Sequence, residues 1–110
     1  MIASLTSPYP AFALGDKATD PLAMYLADVF TCPASLAGLP GISLPCGFTE
    51  QHGSSQPPLP LGLQLLAPPL AEEQLFTAAA AYQRETDWHV KAPALTASLN
   101  ATGTEVGVQP

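Results

Sequence analysis

A chain of 110 residues holds one domain at most, and its small size leaves only a modest core. Hydrophobic residues make up 47% of it, as in globular proteins, but 13 prolines and 8 glycines exclude long regular elements. The formal charge is -6, and Lys17, Arg84 and Lys91 are too scattered to form a patch, which excludes direct nucleic-acid binding through a basic surface.

Pro8 and Pro10 give residues 2–12 an extended path with little ladder pairing, the mark of an edge strand's end. Asp20 followed by Pro21 starts a helix. The carboxylate caps the first turn, and proline at the first helical position lacks only an N–H that the helix leaves unused. Leu22, Tyr25, Leu26 and Val29 recur at helical spacing and predict one inward face, with Asp28 beside it. Pro33 ends or kinks this segment, and residues 34–37 make another short turn closed by Gly38.

Residues 41–46 and 61–66 are apolar runs bounded by Pro and Gly, and each predicts a short buried strand. The polar, then proline-rich stretch 49–60 between them reads as a loop, so the two strands form a hairpin with a wide connection. Residues 71–85 carry the strongest helical pattern. Leu75, Ala79 and Tyr82 share a face with Phe76 and Ala80 beside it, and Glu72, Glu73 and Arg84 suit the helix dipole. Leu70-Ala71 precedes this helix without a capping side chain, which weakens its start. From 90 to 110 periodicity is lost and small residues dominate, so an ordered region 1–89 is followed by a disordered tail.

From Val29 to Thr49 the only ionisable side chains are Cys32 and Cys46. The run is long enough to span a bilayer, yet Pro33, Pro40, Pro45, Gly38, Gly41 and Gly47 would leave backbone groups unpaired in lipid, so a membrane role is excluded. It suits deep burial inside a protein, and Asp28 at its border then needs a partner for its charge. The first ten residues have no base and no sustained apolar core, which excludes a secretory signal and leaves the cytoplasm as the expected location. Cys32 and Cys46 read as free thiols in apolar surroundings, and His52 and His89 lie too far from them and from each other for a metal site. Ser7, Ser35 and Ser43 would need a lysine or histidine brought to hydrogen-bond distance to act as nucleophiles. Trp88 packs back on the domain, His52 is exposed in the loop, and LAGLPG at 36–41 is a tight turn ahead of a strand rather than a phosphate loop.

Several runs together are informative: the Pro10 to Gly15 segment PAFALG, DPLAMYLAD at 20–28, LAGLPGISLPCGF at 36–48, LPLGLQLLAPP at 59–69, and Asp87-Trp88-His89. They resemble the C-terminal part of the A subunit of the tRNA-dependent amidotransferases, within the amidase signature family, over roughly Leu5 to His89. The resemblance implies an α/β fold in which this chain is the C-terminal piece of a mixed sheet flanked by helices, its first segment being a strand of that larger sheet. Met1 would then lie inside or just before that strand, and truncation is the simplest explanation. Strands left without their usual neighbours predict that the isolated chain aggregates or stays partly unfolded.

In that family an aspartate at the place of Asp28 binds the α-amino group of substrate glutamine, which makes Asp28 the candidate substrate-binding residue. The alternative is a helix-end aspartate that caps local backbone. The guanidinium for the substrate carboxylate, and the catalytic lysine and two serines, lie upstream of the matched region in the family, so no catalytic residue is assigned here and the chain alone is expected to be inactive. Gly53-Ser54-Ser55 superficially matches the nucleophile segment, but Gln56-Pro57-Pro58 follows where glycines belong. The resemblance also implies partners: B and C subunits, or a complementary N-terminal fragment. ATP and Mg are used by the partner subunit, with no cofactor bound by this chain. Two other readings stand beside it: a non-catalytic product of a truncated or split gene that works by interaction, and a fragment of another amidase acting on small amides.

Overall fold

The computed structural model describes residues 1–16, 19–50 and 57–92. In chain order it contains β1 (Ile2–Leu5), α1 (Pro21–Leu26), α2 (Cys32–Leu36), β2 (Gly41–Phe48), β3 (Pro60–Leu66) and α3 (Glu72–Glu85), followed by a 3-10 turn at Trp88–Val90. The expectations for Lys17, for His52 and Gly53-Ser54-Ser55, and for the tail beyond 92 fall outside the described residues.

The three strands form one sheet in the order β1-β3-β2, antiparallel throughout. The hairpin expected from the two apolar runs is present. Its wide connection is closed at the neck, where the Thr49 N–H donates to the Leu59 carbonyl at 2.9 Å and the Leu59 N–H donates to Thr49 Oγ1 at 3.0 Å. Pro45 lies within β2, which continues past the expected run 41–46 to Phe48. Pro45 faces Gly62 and Gly47 faces Leu61, so Cys46 is the extra residue of a bulge. A proline is tolerated there because β2 is an edge strand.

Period-two alternation divides the sheet into two unlike faces. Leu63 lies between Leu5 and Leu44, and Leu65 between Ala3 and Ile42. This apolar face packs on α3, and the core is Leu44, Leu65, Ala67, Leu75 and Ala79, with Ile42, Leu63 and Tyr82 partly buried against it. The opposite face has a polar centre: Gln64 lies between Ser4 and Ser43, and beside it Thr6 Oγ1 and Ser43 Oγ are hydrogen-bonded at 2.8 Å over Gly62.

The helices follow their local signals. Asp20 Oδ1 accepts from the N–H groups of Leu22 and Ala23, both at 3.0 Å, with Pro21 opening α1. Pro33, rather than only ending that segment, sits in the first turn of α2. Gly38 at φ +67 lets the Leu39 N–H reach back to the Ala34 carbonyl at 3.0 Å, which stops α2. α3 begins without a side-chain cap, and Leu70 just before it has φ +63, a left-handed conformation costly for a branched residue.

Burial departs from expectation at α1. Leu22, Tyr25, Leu26 and Val29, whose spacing predicts an inward face, are 66%, 72%, 44% and 42% exposed, and α1 buries no residue. The core lies on the far side of the sheet, between the strands and α3, and nothing among the described residues is thick enough to cover α1 as well. Phe76 is likewise exposed, because the buried stripe of α3 is only as wide as Leu75 and Ala79. Of the strand residues, only Leu44, Gln64 and Leu65 are buried, so the uncharged run is not the interior that its composition suggested.

Candidate functional site

Asp28 lies in the turn between α1 and α2, and its backbone is tightly used. Its N–H donates to the Tyr25 carbonyl at 3.2 Å, while its own carbonyl accepts from the Cys32 N–H at 2.9 Å, the Thr31 N–H at 3.1 Å and Thr31 Oγ1 at 3.3 Å. These bonds tie residues 28–32 into one unit. The side chain is left outside it. Asp28 is exposed, and among the described residues its carboxylate meets no donor and no cation. The side chain therefore caps nothing: α2 has Thr31 as its N-cap, without a side-chain cap bond. The partner that its charge was expected to need is not supplied by the described residues, and water rather than a dry pocket surrounds it. Exposure removes the desolvation cost that made a partner necessary.

Two polar tethers hold this turn to the rest of the fold. The Tyr9 hydroxyl donates to the Ala23 carbonyl at 2.8 Å, joining the proline-rich segment after β1 to α1. Gln64 Nε2 donates to the Phe30 carbonyl at 2.9 Å and to Ser4 Oγ at 3.2 Å, joining the central strand to the turn. Gln64 is 6% exposed and is the one buried polar side chain among the described residues. Residue-type reasoning passes over it. The signal is present in LGLQLL, where positions 62 and 64 share a strand face and both break the apolar run.

A groove of about 510 Å³ lies elsewhere, lined by residues 5–12, Cys46 and residues 60–62. Tyr9 and Phe12 meet edge-to-face within it, ring centres 6.3 Å apart. Asp28 is not part of its wall. Cys46 is half-buried, its thiol donating weakly to the Leu61 carbonyl at 3.5 Å, while Cys32 is exposed rather than packed in apolar surroundings; neither is in a disulfide. Trp88 does pack back, edge-on to Phe48 at 6.0 Å between ring centres, with Lys91 Nζ 4.1 Å above its ring. His89 is exposed. Among the described residues no group of His, Cys, Asp and Glu is placed to hold a metal ion, and no helix is long and apolar enough to cross a membrane. Ser43 is bonded to Thr6, and Ser4 accepts from Gln64 and donates to the Leu5 carbonyl. The arrangement at Asp28 can attract a cation; it presents no nucleophile beside a base.

The family model for Amidase matches residues 1–76. The chain belongs to the amidase family. It is similar to the A subunit of the glutamyl-tRNA(Gln) amidotransferase of Microcystis aeruginosa, 52% identical over 96 residues, which is 87% of this chain and 19% of that protein. The same-named protein of Nostoc punctiforme is 53% identical over 88 residues, 80% of this chain and 17% of the relative. That of Gloeobacter violaceus is 49% identical over 92 residues, 84% and 18%. The chain thus spans about a fifth of the length of the curated relatives it matches.

Proposed function

We propose that this chain serves as the C-terminal portion of the glutaminase subunit of an aminoacyl-tRNA amidotransferase, where it binds rather than cleaves. Asp28 would receive the α-ammonium of glutamine, and the three strands would be one end of a larger mixed sheet. Attack on the amide would fall to the lysine and two serines of the family, none of which this sequence matches. The ammonia would pass to a B subunit that uses ATP and Mg, with a C subunit completing a cytoplasmic complex. The observation that carries this reading is the Asp28 carboxylate, held by a bonded turn while its own oxygens meet no protein donor among the described residues. A group that serves local capping spends its oxygens on backbone, as Asp20 does.

Titration of the chain with L-glutamine, followed by amide chemical shifts, tests it against 4-carbamoylbutanoate, which lacks only the amino group. A charge-assisted hydrogen bond contributes about 1.5–3 kcal/mol, so glutamine should bind at least about tenfold more tightly, and Asp28→Asn should erase the difference. Equal binding of the two ligands would overturn the reading. Glutamine hydrolysis by the purified chain would overturn the division of labour.

A second reading, an interaction piece that docks with a complementary amidase segment, is favoured by the exposed apolar side chains of Leu22, Tyr25, Leu26 and Val29. The two are compatible, since docking would complete the site around Asp28. Co-purification with a polypeptide carrying the lysine and the two serines is the expected result, and loss of that complex on Leu22→Asp with Tyr25→Asp is its check.

A further inference from the structure

We propose that Gln64 is a positioning residue for Asp28, setting where the carboxylate stands by holding the Phe30 carbonyl to the central strand. The inference rests on the reading of Asp28 as the ammonium-binding group and extends it to a residue in another element. β3 is paired on both sides, so Gln64 rises from the best-fixed part of the sheet. Its amide orientation is decided by its partners. The Phe30 carbonyl, 2.9 Å from Nε2, only accepts, and Ser4 Oγ, 3.2 Å from Nε2, already donates its own proton to the Leu5 carbonyl. Both Nε2 protons are therefore used on fixed acceptors, one on each side of the β3–turn junction.

The tether matters because packing does little for this segment. α1 buries no residue, and in the turn itself Asp28, Val29 and Phe30 are all exposed. In α2, Ala34 is buried, but it follows the turn rather than forming it. The chain from Phe30 to Asp28 is short and is locked by the three donors on the Asp28 carbonyl. A shift of the Phe30 carbonyl is thus carried directly to the carboxylate two residues away. The Ser4 hydroxyl, directly across the ladder from Gln64, keeps the amide upright between strand and turn.

The test is amide hydrogen exchange of the 110-residue chain, expressed as protection factors at pH 8 and pH 5 to remove the intrinsic pH dependence. In Gln64→Leu, which keeps bulk and removes both donors, protection at Thr31 and Cys32 should fall about tenfold at both pH values, while Ala79 in α3 keeps its protection. Gln64→Glu should show the same loss at pH 8, where an ionised carboxylate faces the Phe30 carbonyl, and recover in part at pH 5, where the single O–H of the buried, protonated group donates to that carbonyl again. A merely space-filling role would give no such reversal. No local loss in either variant, no reversal in Gln64→Glu, or no protection of Thr31 and Cys32 in the unaltered chain would each overturn the proposal. Glutamine affinity should track the same protection in every variant and add nothing to the loss in Asp28→Asn. If protection behaves as stated but the unaltered chain binds glutamine and 4-carbamoylbutanoate alike, Gln64 still positions the turn and it is the ammonium-binding reading of Asp28 that fails.

Discussion

Gly62 lies in the central strand directly beneath a pair of hydroxyls, and a single methyl group there should be costly. A Cβ at this position would stand 2.8 Å from Thr6 Oγ1, 3.1 Å from Thr6 Cβ and 3.3 Å from Ser43 Oγ. Thr6 cannot easily yield. It is β-branched, so moving Oγ1 means leaving a preferred rotamer, and its backbone is pinned by the bond from its N–H to the Gly62 carbonyl at 3.1 Å. The 2.8 Å bond to Ser43 would be lost at the same time. Overpacking costs about 1–3 kcal/mol and a net hydrogen bond about 1, against a gain of about 0.5–1 kcal/mol from replacing a flexible glycine in a strand. Gly62→Ala should therefore destabilise by about 2 kcal/mol, measured by urea unfolding followed by circular dichroism. In a Thr6→Ala background, where Oγ1 is already gone, the same substitution should cost at least about 1 kcal/mol less. Gly62→Ala matching or exceeding the unaltered chain in stability, or costing the same in both backgrounds, would refute the steric argument.

Leu75 is 3% exposed at the centre of the core cluster, so Leu75→Ala should cost about 2–5 kcal/mol; for so small a core that is enough to abolish a cooperative urea transition. Asp20→Ala leaves the Leu22 and Ala23 amides without their acceptor and should cost about 0.5–2 kcal/mol, with exchange accelerated in α1 but not in α3. Leu70→Gly should stabilise by about 0.5–1 kcal/mol and raise the melting temperature, because an exposed leucine is held at φ +63; a lower melting temperature would show that the leucine side chain contributes more than its backbone costs.

Where a signal is local, the sequence states it and the structure obeys. Asp20-Pro21 caps and opens a helix, Gly38 closes one, and the apolar runs either side of the polar stretch pair as a hairpin, because each depends on atoms a few residues apart. The face of α1 shows the limit. Periodicity puts Leu22, Tyr25 and Leu26 on one side of α1, with Val29 in the turn past its end, but whether anything covers that side depends on mass outside the helix. Cys32, expected in apolar surroundings from the composition of its neighbours, lies exposed for the same reason. At the site, Asp28 stands out as a lone acid bordering an uncharged run, yet neither its exposure nor its bonded carbonyl can be read from residue type. Gln64 is hidden by a different cause: a tether between residues 30 and 64 is a fact of topology, and only the alternation of a strand hints that its side chain stands apart from the leucines around it.

The meeting of Phe48, Trp88 and Lys91 has a practical consequence. The chain carries a single tryptophan, and its ring sits where the last turn after α3 touches the outer end of β2. Its fluorescence therefore reports one junction and nothing else. A binding partner that pulled the distal end of the hairpin away would strip the ring of its aromatic neighbour and shift its emission, giving an unlabelled optical signal for assembly built into the polypeptide.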